Sequence, residues 1–92
     1  MIFVLKIRPL TEENLSPSNP FLPEHDEYEM YLRALCEDLT RVDGILEVVQ
    51  KGSSLSIETN EPHTVEELKK RIKPVFTEEM MKNLMFVSLS KR

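Results

Sequence analysis

The side chains able to ligate a metal or act as a nucleophile are few, and they are spread along the chain. His25 and Glu29 stand four residues apart, a spacing that puts both on one face of a helix. Cys36 lies two turns further on, and His63 belongs to another segment. Zinc is held by three or four such donors, so these four residues are not expected to form a metal site. Cys36 reads instead as a small apolar residue. The serines lack the Gly-x-Ser-x-Gly elbow, and both histidines fall in loop-like stretches, so no Ser/His/Asp constellation is expected. Gly44 and Gly52 stand alone, which excludes a glycine-rich phosphate cradle. The expectation is no catalytic residue, no cofactor and no metal.

The elements that position these side chains belong to one short chain. Its 92 residues suffice for a single domain, 1–92, and a 40% apolar, 30% charged composition is that of a globular protein. Residues 1–50 carry four basic and ten acidic side chains, and residues 51–92 carry eight basic and six acidic, for a total of −4. The acidic residues gather at Glu24–Asp43 and the basic ones at Lys69, Lys70, Arg71 and Lys73. An acidic total argues against a nucleic-acid partner, whose phosphates reward positive charge. The longest apolar run, Met1–Leu5, falls far short of the roughly 20 residues of a membrane span and has no basic segment before it. No membrane partner and a cytoplasmic location are therefore expected. A lone Cys36 fits a reducing compartment.

Residues 2–8 contain β-branched and aromatic side chains and no breaker before Pro9, and they predict a strand with Phe3, Leu5 and Ile7 on one face. A long segment, 9–26, follows with Pro9, Pro17, Pro20 and Pro23 and no period, and it predicts a loop. Its Asn19-Pro20-Phe21 tripeptide reads as a turn with Phe21 set on the core. Tyr28, Tyr31, Leu32, Leu35, Leu39 and Val42 recur at steps of three and four, predicting a helix over 26–43 that Gly44 ends. Strands are expected at 45–50 and 54–59, joined through Lys51-Gly52-Ser53 as a hairpin. Thr64-Val65-Glu66-Glu67 has the form of a capping box and opens a helix over 64–73, with Leu68 in its apolar stripe and Pro74 at its end. One extra turn at 78–82 and a last strand at 84–90 complete the chain.

The order β-α-β-β-α-β is that of the ferredoxin-like α+β fold, a four-stranded antiparallel sheet with two helices on one face. From Tyr28 to Ile72 the chain also resembles the heavy-metal-associated, copper-chaperone-like domain. The likeness rests on Arg41-Val42-Asp43-Gly44-Ile45, Leu46-Glu47-Val48-Val49, Ser54–Thr59 and Thr64–Leu68. It implies the fold and not the metal chemistry, because Glu24-His25-Asp26-Glu27 stands where that family has Cys-x-x-Cys. An RNA-recognition motif shares the topology, but Phe3 must point inward with Leu5 and Ile7, and the residues after Lys51-Gly52 are not aromatic. An acylphosphatase-type site would need an Arg in the first loop and a strand Asn, whereas Arg8 precedes the loop and Asn60 only follows strand three.

One side of such a sheet faces water and should be polar. Strict alternation predicts that the second and fourth strands are apolar on both faces, so something must cover the open one. The expected function is a non-catalytic protein-binding or regulatory module acting through that sheet face and the 9–26 loop: an assembly factor, a subunit or a phage-type inhibitor. The alternative is a small dimeric α+β barrel enzyme or small-molecule-binding protein. The expected contact residues are Ile2, Val4, Leu15, Phe21, Leu22 and Phe86. The expected partner is a protein or a second copy, as a homodimer, unless Leu15, Phe21 and Leu22 fold back as the cover.

Overall fold

Apolar side chains alternate along 2–8 and 54–59 and recur every three or four residues from Tyr28 onward, and the elements form on those periods. The structure, a computed structural model, describes residues 1–17, 20–60 and 62–92. The elements are β1 (Ile2–Arg8), α1 (His25–Thr40), β2 (Ile45–Lys51), β3 (Ser54–Thr59), α2 (Val65–Ile72), α3 (Glu78–Met81) and β4 (Met85–Lys91). Short 3₁₀ turns lie at Glu12–Asn14 and Lys73–Val75. The strands form one antiparallel sheet in the order β2-β3-β1-β4, the ferredoxin-like arrangement.

Phe3, Leu5 and Ile7 of β1 and Leu55 and Ile57 of β3 point to the helix-covered side. There they pack with Tyr28, Leu32, Leu35 and Leu39 of α1 and with Leu68 and Ile72 of α2. Full burial of side chains of this size stabilises by about 1.5–3 kcal/mol each. The capping box of α2 forms as expected: the Glu67 N–H donates to Thr64 Oγ1 at 3.1 Å, and the Thr64 N–H donates to Glu67 Oε1 at 3.2 Å. Pro74 sits in the 3₁₀ turn that ends the helix, having no N–H with which to continue it. The Thr77 hydroxyl then caps α3 by accepting the Met80 N–H at 3.2 Å. α1 stops at Thr40, short of 43, and Gly44 at φ +93° turns the chain into β2.

Two irregularities change which side chains of β2 and β4 face the open side from those that strict alternation expects. The β2–β3 register shifts between Ile45 and Glu47, leaving Leu46 as an unpaired residue that is 60% exposed. The β1–β4 register shifts between Lys6 and Ile7, leaving Val87 outside the pairing. Each bulge inserts one residue and so reverses the side-chain alternation. Phe86 and Leu89, which strict alternation would separate, therefore lie on the same side, opposite Ile7 and Leu5. Phe86 is thus removed from the open face and packs partly buried against the core.

Candidate functional site

The registers set the open sheet face out as rows. At one end Glu47, Glu58 and Ile2 lie side by side across β2, β3 and β1. The next row is Val49, Ser56, Val4 and Ser90, and the next is Lys51, Ser54, Lys6 and Ser88. Beyond it Arg8 faces Met85. Carboxylates therefore occupy one end, three cations the other, and small or apolar residues the middle. Arg92, whose N–H bonds the Ile2 carbonyl at 2.9 Å, adds one cation at the β4 edge of the acidic end. Glu47 and Glu58 are directly opposite, a like-charge pairing that costs stability, and neither makes an ion pair among the described residues. Ile2 and Val49 are exposed and Val4 is half-buried.

The 9–26 segment sets Phe21 and Leu22 beside α1 and α3 rather than on this face. Its start is tied down by Asn14, whose Oδ1 accepts from Arg8 Nη1 at 3.0 Å and from the Thr11 N–H at 3.0 Å. Leu10 is buried and Leu15 half-buried. Phe21 and Leu22 line a shallow depression with Glu27 of α1 and with Glu79, Lys82 and Asn83 at α3. Phe21 is 82% exposed, so it is not set on the core as the tripeptide reading expects, and Asn19 lies outside the described residues.

Residues with ligand chemistry stay apart. His25 and Glu29 pair on the α1 surface at 3.5 Å, and no group of three or more His, Cys, Asp or Glu side chains gathers among the described residues. Cys36 Sγ lies 4.0 Å from Gln50 Oε1, and burial, then the Glu37 carboxylate, pushes its thiol pKa up, away from the reactive thiolate. His63 is buried beside Gly44. Phe3 is wholly buried under the helices, and Ser54 and Ser56 occupy the open face of β3.

Sequence reasoning missed one feature, a groove of about 360 Å³ between α2, the turn after it and β4. Phe76, Phe86 and Met81 form its floor and Lys69, Lys70 and Lys73 its rim. The two rings meet edge to face at 5.8 Å and 89°, and Lys69 Nζ stands 5.4 Å from the Phe86 centroid. The basic block is visible in the sequence, but strict alternation places the phenylalanine it faces on the opposite side of β4. Among the described residues, no helix is long and apolar enough to cross a membrane. Comparison with protein-family models, with curated proteins and with solved structures finds no match for the chain.

Proposed function

We propose that this ferredoxin-like chain is a non-catalytic binding module that pairs with a second copy through its open sheet face. The observation that supports this reading is the graded order of that face, from Glu47 and Glu58 through Val49, Ser56 and Val4 to Lys51 and Lys6. A two-fold axis running across the strands at the middle row lays the acidic end of one sheet over the basic end of the other. Such an isologous interface is the commonest route to a closed assembly. Glu47, which makes no ion pair among the described residues, then lies over Lys51 of the other copy, and the Val and Ser side chains of the middle row allow close approach.

In the same reading a protein partner is held at Phe21 and Leu22. They lie against α1 and α3 and remain exposed when the sheet faces pair. Burying an exposed phenyl ring on a partner contributes about 1.5–3 kcal/mol. The likeness to the heavy-metal-associated domain enters only through the fold, since Glu24-His25-Asp26-Glu27 offers no thiolate. The test is the solution mass by sedimentation equilibrium. A dimer that Val4→Glu converts to a folded monomer supports the proposal. A wild-type chain that stays monomeric at every concentration reached overturns it.

A further inference from the structure

We infer that the groove between α2 and β4 is a binding site for a small amphipathic anion, an aliphatic or aromatic body carrying one carboxylate or sulfonate. It lies on the helix side of the sheet, so this inference does not rest on the pairing of open faces. Three observations carry it. The first is shape: about 360 Å³ falls within the range of small-ligand pockets, roughly 300–1,000 Å³.

The second is the apolar floor. Phe76, Phe86 and Met81 are only partly buried, and the edge-to-face rings leave a concave apolar surface in water. The third is charge. Lys69, Lys70 and Lys73 are exposed along one side of α2 and the following turn, with Glu66 as the one acid at the rim. None of the three lysines makes an ion pair among the described residues. On a chain of net charge −4, this groove is a local excess of positive charge. Lys69 rests over the Phe86 ring, a weak cation–π contact that a carboxylate outcompetes. The apolar body therefore lies on the two rings with its head among the ammonium groups.

The test titrates the full chain with sodium octanoate while backbone amide shifts are recorded, in parallel with octylammonium chloride. Octanoate is expected to give saturable shifts confined to residues 66–76 and 81–86, and octylammonium to bind about tenfold or more weakly. Lys69→Glu with Lys73→Glu changes only exposed side chains and leaves the fold intact. It is expected to weaken octanoate binding by about tenfold or more and to relieve the handicap of octylammonium. No saturable shift up to the solubility limit overturns the inference. So does equal affinity for the two head groups, and so do shifts centred on the open sheet face.

Discussion

Exchanging one acid and one base on the open face tests the geometry of pairing as well as its existence. In the two-fold arrangement Glu47 of each copy lies over Lys51 of the other, so each dimer contains this contact twice. Glu47→Lys places two cations at both contacts, and Lys51→Glu places two carboxylates there. Two unit charges about 4 Å apart interact by roughly 1 kcal/mol in water and roughly 4 kcal/mol near a protein surface. Measured exposed pairs retain about 0.2–1 kcal/mol. Turning attraction into repulsion at two contacts therefore shifts dimerisation by about 1–4 kcal/mol, a weakening of about fivefold to a thousandfold. Neither substitution touches the core, since both residues are exposed. The distinguishing experiment is the equimolar mixture of the two single variants. At one contact of the heterodimer the two substituted side chains, now of opposite charge, face each other. At the other contact the native Lys51 of one copy meets the native Glu47 of its partner. The heterodimer should therefore regain wild-type affinity. Sedimentation velocity on the separate and mixed variants reads this directly, and at about 1 M salt, where the screening length is about 3 Å, the differences should shrink. A mixture that associates no better than the separate variants, with the wild type dimeric, refutes the two-fold register.

Leu35→Ala and Leu68→Ala should each lower stability by about 2–4 kcal/mol in denaturant unfolding, because both side chains are wholly buried where the helices meet the sheet. Gly44→Ala should cost about 1–3 kcal/mol, since φ is +93° and the added Cβ would lie 3.3 Å from Arg71 Nη1; thermal unfolding checks it. Hydrogen bonds from the Thr64 backbone and side chain hold the Glu67 carboxyl below its ordinary value of 4.5. A carboxyl lowered in the folded state stabilises above its unfolded pKa and loses that stabilisation as pH falls through its folded pKa. Acid unfolding of Glu67→Gln should therefore be less steep below about pH 4.5 than that of the wild type. Phe21→Ser should leave the unfolding midpoint almost unchanged, within about 0.5 kcal/mol, because the ring is 82% exposed. A larger loss in calorimetry would mean that the ring is packed in solution.

The order of elements, the covered face of β1 and the start of α2 are all legible in the chain before it folds. These depend on neighbours a few residues apart: the alternation of Phe3, Leu5 and Ile7, the three-and-four spacing from Tyr28 to Leu39, and the Thr64–Glu67 cap. Which way β4 and the start of β2 face emerges only once the strands are paired. A bulge is placed by how a strand twists against its partner, and no local period marks it. The shift that leaves Val87 unpaired moves Phe86 from the expected open face to the helix side. The same shift brings a ring from the end of the chain beneath lysines of α2, forming a groove from side chains whose proximity no spacing in the sequence records. It also leaves Met85 in place of Phe86 on the open face beside Ser88 and Ser90, so charge at its two ends becomes its distinguishing feature. Phe21 follows the other course: its sequence reads as a packed turn, and the ring stands 82% exposed at the shallow depression beside α1 and α3.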